Sequence, residues 1–405
     1  MQNPFTLPSG SSGPLFPYFN VYLTQLKEQG YALGSFYEQI YILKTCDRWL
    51  NRTGRSVREL NESVIRKFLR RCLNRGYGKN AGASTMRRLL TMLRRTGVTP
   101  EAKAPAPSPS EQLVCAYERF LLEERNLSPQ TVVHRRLTAG RFLSEKFVGG
   151  PLDVSKLHPP DITAFVLRHA RDHGPFYARH LTTGMRQFLR YLHYKGLTDT
   201  DLSLAVPAVA RWSLSSLPKY LPAAQVRQVL HHCNRSTPLG RRNYAILLLL
   251  ARLGLRAGEV VRLNLEDVDW ENGLITVYGK GKWAQLPLPA DVAEAIARYL
   301  RHDRPRCACR RLFIRDYAPV GGLHGTAAIG GIVKRALTRA GVESARKGAH
   351  LLRHSLATDM LRKGLSLDEI GEVLRHRSPD TTAIYAKVDL DSLRTLAMPW
   401  PGGAR

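Results

Sequence analysis

Four short stretches of this sequence carry residues that could together do phosphoryl chemistry. They are LGLRAGEVVRL around Arg256, YGKGKWAQLPL around Lys280, GAHLLRHSLAT around His350 and Arg353, and LRHRSPDTTAIYAKV around His376 and Tyr385. Breaking a phosphodiester without a metal ion asks for a side chain that can hold a phosphoryl group covalently, and Tyr, Ser or His can do this. Charge that develops on the nonbridging oxygens calls for fixed cations. Arg suits the task because its planar fork binds two oxygens and never loses its charge. The departing 5′-oxygen needs a proton, which a Lys on a mobile turn can deliver. A neutral His can act on the attacking hydroxyl.

Taken singly, each residue has a plainer use. Arg256 has Glu259 three residues on and could form a helix-end ion pair of small worth. Lys282 rivals Lys280 in the same turn. His350 and His354 lie four apart and could be read as a metal pair. No carboxylate follows at the zincin spacing, however, and Arg353 between them would repel a cation, so His354 reads as structural. Tyr385 is one of 16 tyrosines, and its role rests on the whole set.

The elements that must position these residues can be read from periodicity and turn signals. Helical spacing is visible in AAQVRQVLHHCN, RRNYAILLLLARLG, ADVAEAIARYLR, GIVKRALTRAG, LLRHSLATDMLRKG and SLDEIGEVLRH. Between the second and third of these, LITVY (274–278) and QLPLP (285–289) flank the turn GKGK (279–282), an antiparallel hairpin. A short helix is expected over Asp389 to Met398, ended by Pro399 and Pro401.

Two proline-rich stretches divide the chain upstream. They give an N-terminal helical segment (1–97), a linker (98–111), a second helical segment (112–205), a linker (206–221) and a C-terminal segment (222–405). The first two helical segments read as a degenerate repeat. LKEQGYALGSFYEQ from Leu26 resembles LEERNLSPQTVVHR from Leu122, and Ile65 and Phe68 match Ile162 and Phe165. Each copy is expected to be a bundle of about four short helices.

Charge narrows the partners. Lys and Arg number 61 against 33 acids, a net charge of +28, and a chain so cationic repels itself unless polyanions neutralise it. Between Asn51 and Arg95 stand 13 basic residues and only Glu59 and Glu62 as acids, which favours a phosphate-tracking surface over a solvated mixed face. The six scattered cysteines read as reduced thiols, and no metal or cofactor site is expected, His231-His232-Cys233 having no partner pair nearby. No signal peptide is visible. The longest apolar run, Tyr244 to Ala251, is far short of the ~20 residues a bilayer needs and reads as a buried core helix.

In their order and separations the four stretches resemble the sequence boxes of the tyrosine recombinases, the phage integrase family. Arg256 to His350 spans 94 residues, Arg353 to His376 spans 23, and His376 to Tyr385 spans 9. The resemblance covers roughly 112–390. It implies a mainly α fold with a small antiparallel β-sheet in the catalytic domain, and helical SAM-like core-binding domains that complete a DNA clamp. It implies that Arg256 and Arg353 clamp the scissile phosphate, Lys280 protonates the leaving oxygen, His350 assists proton transfer and His376 bonds the phosphate. Tyr385 would form a 3′-phosphotyrosyl bond without metal or ATP. Double-stranded DNA would be the partner, a homo-tetramer the working assembly and the bacterial cytoplasm the place, with no membrane. Arg375 departs from the pattern, since the family more often has Gly there; the larger side chain would add a phosphate contact or crowd the pocket. A type IB topoisomerase-like relaxer, a hairpin resolvase and an inactive DNA-binding accessory protein are the competing uses of the same residues.

Overall fold

Ser or Thr followed by Pro opens several of the helices. Ser108, Ser128, Thr237 and Ser378 each stand at an N-cap with Pro next, and each side-chain oxygen accepts a free N–H of the first turn. The proline supplies a helical φ and lacks only an N–H that would have no helical partner. The computed structural model describes residues 13–73, 79–101, 106–171, 173–209, 218–279 and 281–388.

By contact the chain divides into two units, Glu101–Ser213 and Met1–Pro100 with Leu214–Arg405. The N-terminal part of the latter holds α1 (Phe16–Glu28), α2 (Leu33–Arg52), α3 (Glu62–Leu73) and α4 (Lys79–Arg95). They close on a core that includes Phe19, Tyr22, Phe36, Leu43 and Phe68. The Glu101–Ser213 unit holds α5 (Pro109–Glu123), α6 (Pro129–Lys146), α7 (Pro159–Arg171) and α8 (Pro175–Tyr194). Its core sets Tyr117 edge-on to Phe188 at 5.1 Å and Phe142 to Phe165 at 5.2 Å. Both sets have the same order: two helices, a 3-10 turn (Val57–Glu59 or Val154–Lys156), then two more helices. Helix α5 begins inside the stretch expected as linker. Ser108 and Glu111 form a capping box that starts the helix at Pro109 rather than after residue 111.

The C-terminal part is mainly α with one small sheet, as the sequence leads one to expect. Its elements are α9 (Ala223–His231), α10 (Pro238–Arg252), α11 (Ala257–Arg262), β1 (Val268–Asp269), β2 (Leu274–Gly279), β3 (Lys282–Pro287), α12 (Ala290–His302), α13 (Gly325–Arg339), α14 (Ala349–Arg362), α15 (Leu367–Val373) and α16 (Pro379–Thr382). A 3-10 segment, Ala383–Val388, follows. The strands lie antiparallel in the order β1-β2-β3. The hairpin is tighter than its sequence suggests: Gly279 pairs with Lys282, so β3 begins three residues before Gln285. Gly281, at φ 82°, takes the left-handed conformation that so short a reversal needs. The apolar run lies in α10, where Ala245 to Leu250 are all buried and form the centre of the core. Each of the buried Ile and Leu side chains contributes about 1.5–3 kcal/mol by leaving water. None of the described helices is long and apolar enough to cross a membrane.

Candidate active site

The site is organised by the end of α15. This helix stops in a Schellman motif: Arg375 N–H donates to Glu372 O (2.9 Å) and His376 N–H to Gly371 O (2.8 Å), while Arg375 takes φ 55°. The turn leaves the carbonyls of Leu374 and Arg375 without helical donors, and two guanidiniums use them. Arg353 Nη2 donates to Leu374 O, and Arg256 Nη2 donates to Arg375 O (3.1 Å). The next residue is His376. One helix end thus aligns two arginines and a histidine that are far apart in sequence.

Arg353 projects from α14, 3% exposed, and its Nη1 donates to Gly254 O. Gly254 has φ 57°, and a Cβ there would lie 2.7 Å from Leu374 Cδ2, so only glycine fits this approach. Burial pushes the Arg353 pKa down to about 10, helped by the charges of Arg256 and Arg375 and opposed by Glu259 and Tyr385. It remains a cation at neutral pH.

Arg256 stands at the N-cap of α11. Glu259, 2% exposed, accepts Arg256 N–H (2.9 Å) at Oε2 and Nη1 (2.7 Å) at Oε1, and Oε2 also accepts Arg375 Nη2 (3.2 Å). Burial alone would raise the Glu259 pKa. The hydrogen bonds from Arg256 and the charges of Arg375 and Arg256 outweigh it and hold the carboxyl below its ordinary value. Glu259 also meets the end of β2, where a Cβ on Gly279 would fall 2.3 Å from Oε1. A cavity of about 260 Å³ opens here, lined by Arg256, Glu259, Gly279, Lys282, Arg375 and His376 among others. Lys280 lies outside the described residues. Lys282, two positions on, contributes to the lining.

Tyr385 sits in the 3-10 segment after α16 and is 1% exposed. Its ring lies nearly parallel to that of His376, 7° between planes and 6.4 Å between centroids. His376 is oriented by a hydrogen bond between Nδ1 and Thr382 Oγ1 (2.7 Å). The Tyr385 hydroxyl meets His354 Nδ1 at 2.8 Å. Burial lowers the His354 pKa to about 4, with further help from His350, Arg353 and Arg346, so the ring is neutral at pH 7 and Nδ1 can accept the phenolic proton. Burial raises Tyr385 to about 12, against a smaller opposing pull from Arg353. His350, expected to assist proton transfer, lies one turn earlier on α14, its ring 6.3 Å from that of His354.

Arg256, Arg353, His376 and Tyr385 therefore meet around the end of α15, with His350 behind His354. Two partners do not read as functional from sequence. Glu259 is visible there only as an ion-pair partner at i+3 and His354 reads as structural; the i,i+4 relation of the two histidines is the signal that both face one way. Among the described residues no cluster of three or more His, Cys, Asp or Glu could hold a metal ion. Chemically the arrangement offers a buried hydroxyl on a neutral imidazole, beside guanidiniums able to take an oxyanion.

The phage integrase family matches residues 219–391. A Sinorhizobium fredii protein with the provisional name integrase/recombinase y4rA is 45% identical over 404 residues, 99% of this chain and 98% of that one. The tyrosine recombinase XerD of Listeria innocua is 31% identical over 294 residues, 68% of this chain and 94% of that one. Among solved structures, the XerH site-specific recombinase bound to palindromic difH substrate, a post-cleavage complex, has a TM-score of 0.57 at 20% identity, over 72% of this chain and 97% of that one. A lambda integrase (75-356) dimer bound to a COC′ core site has a TM-score of 0.53 at 15% identity, over 68% and 94%. These structural likenesses establish the fold.

Proposed function

The chain belongs to the phage integrase family of tyrosine recombinases, enzymes that cut and rejoin DNA strands, and from that premise we propose that it works through a covalent 3′-phosphotyrosyl intermediate made by Tyr385, with neither metal nor ATP. The phenolic oxygen attacks the scissile phosphorus. The O–P bond to Tyr385 forms as the bond from phosphorus to the 5′-oxygen breaks. His354 takes the phenolic proton at Nδ1, and His350 beside it assists. Lys280, next in sequence to Gly279, gives a proton to the departing 5′-oxygen. Arg256 and Arg353 hold the nonbridging oxygens, and His376 adds a hydrogen bond. Rejoining is the reverse reaction with a 5′-hydroxyl from another strand. The phosphotyrosyl bond retains the energy of the phosphodiester, so no nucleotide is consumed.

The observation that carries this reading is the convergence just described. Among the described residues, the tyrosine hydroxyl that meets a neutral histidine beside paired arginines is the one at the end of the fourth sequence box. The partner is double-stranded DNA, consistent with the net charge of +28 and with the DNA-bound state of the solved relatives. Four copies would act on two duplexes, exchanging one strand pair at a time.

A plasmid assay tests it. The full-length protein selects its site from a random duplex pool. Two inverted copies of that site are placed on a plasmid and incubated with protein in EDTA without nucleotide. Inversion that disappears in Tyr385→Phe supports the reading. Relaxation of a plasmid lacking the site would favour a topoisomerase-like enzyme, and binding with no strand breakage would favour an accessory protein.

A further inference from the structure

Among the described residues only two that are not glycine have positive φ, Asn126 at 47° and Arg375 at 55°. Asn tolerates this conformation because its short side chain bonds locally; Arg has no such excuse. The position is the C′ residue of the Schellman motif that ends α15, where glycine is ordinarily used because it has no Cβ to clash. The fold thus carries a backbone strain that a glycine would remove, and strain of this kind gathers where a side chain is needed for function.

The Arg375 side chain is 15% exposed and turned into the site. Nη2 donates to Glu259 Oε2 (3.2 Å) and Nη1 to Val373 O (3.2 Å), while Nε is buried with no hydrogen-bond partner among the described residues. Glu259 is the carboxylate that also holds Arg256 at Nη1. Its single negative charge is therefore divided between two guanidiniums. Without Arg375 the whole charge would face Arg256 and the cavity beside it. With Arg375 the three arginines and one glutamate leave an excess of two positive charges where a phosphoryl group would sit.

Building on the phosphotyrosyl reading above, we propose that Arg375 is a positioning residue for the scissile phosphate: it offsets Glu259 so that Arg256 remains available to the nonbridging oxygens, and it raises the positive field of the pocket. The role lies in charge, at a cost in backbone strain, and this separates it from a packing role.

The test compares Arg375→Gly with the parent protein on two nicked suicide duplexes carrying the selected site, one with an ordinary scissile phosphodiester and one with a methylphosphonate. The glycine relieves the positive φ, so the variant is expected to melt no lower than the parent. With protein limiting, so that the rate is the second-order constant from free protein and DNA, the transition state of the phosphodiester carries two negative charges and that of the methylphosphonate one, so loss of a cation costs about half as much, in logarithm, on the neutral substrate. The expected result is a fall in covalent adduct formation of about a hundredfold on the phosphodiester and about tenfold on the methylphosphonate. An equal fall on both, the mark of a structural role, overturns the proposal, as does no fall on either. If the parent protein forms no adduct on either duplex while binding both, the phosphotyrosyl reading itself fails and takes this inference with it.

Discussion

Replacing His354 with alanine should change how cleavage depends on pH, not only how fast it is. Burial holds Tyr385 at about 12, two logarithmic steps above an ordinary tyrosine at 10.0. At pH 7.5 the phenolate is then about 3 × 10⁻⁵ of the population, and the net upward shift accounts for roughly 3 kcal/mol of that deficit. Attack by a pre-formed phenolate would be slow, so the proton has to leave during the attack. The atom at hydrogen-bond distance is His354 Nδ1, 2.8 Å away, and with a pKa near 4 it is unprotonated throughout the neutral range. Removing a positioned base costs about 10²–10⁴ in rate. The assay is single-turnover adduct formation on a suicide duplex from pH 5.5 to 9.5, with a gel shift to show that DNA binding is unchanged. The parent rate is expected to be nearly level across this range. His354→Ala should be at least about a hundredfold slower at pH 7 and should rise about tenfold per pH unit as hydroxide replaces the imidazole. A variant with a level profile, or one within about tenfold of the parent, refutes the assignment of the base to His354.

Three further outcomes follow from the same geometry. Glu259→Ala leaves Arg256 and Arg375 side by side without their shared carboxylate and should destabilise the fold by about 3 kcal/mol, measured by urea denaturation with catalysis not required. His354 has a folded pKa near 4 against an ordinary 6.5, so the unfolded chain takes the proton first; stability complete above pH 6.5 is lost as pH falls towards 4, by about 2 kcal/mol after allowing for partial solvent screening. His354→Gln should show no such loss between pH 6.5 and about 5, since Glu259, also depressed, adds acid sensitivity only below its ordinary 4.5. Arg66 and Arg70 are exposed one turn apart on α3, and if this face tracks phosphates, Arg66→Ala with Arg70→Ala should reduce the slope of log affinity against log salt by about two.

Much of the mainly helical fold was legible because its signals are local. The apolar spacing of α10, α12 and α14 lies within a few turns of chain, whereas the Ser-Pro start of α5 falls inside the stretch that its prolines mark as linker. The hairpin was legible in kind but not in register. Lys282 falls in the turn GKGK of the sequence and Trp283 lies before the expected strand, yet both pair in β3, because Gly281 takes a positive φ that closes the reversal early and Trp283, itself exposed, packs on Tyr278 across the ladder (4.8 Å). The two arginines, His376 and Tyr385 could be picked out by type and spacing. Their supports could not. That Leu374 and Arg375 carbonyls orient the arginines depends on where α15 stops, and the usual glycine signal for that stop is absent because Arg375 occupies the position. Which of His350 and His354 meets Tyr385 depends on a contact between segments 31 residues apart, which helical periodicity on α14 alone does not decide.

The measurement that tests the central claim most directly is mass spectrometry of the trapped protein–DNA adduct. The full-length protein is stalled on a suicide duplex in EDTA, the DNA is trimmed by nuclease, and the protein is digested. A nucleotide joined through its 3′-phosphate to the Tyr385 side chain, absent from Tyr385→Phe, is the expected result. A modified residue other than Tyr385, or strand cleavage with no protein-linked nucleotide, would contradict the account.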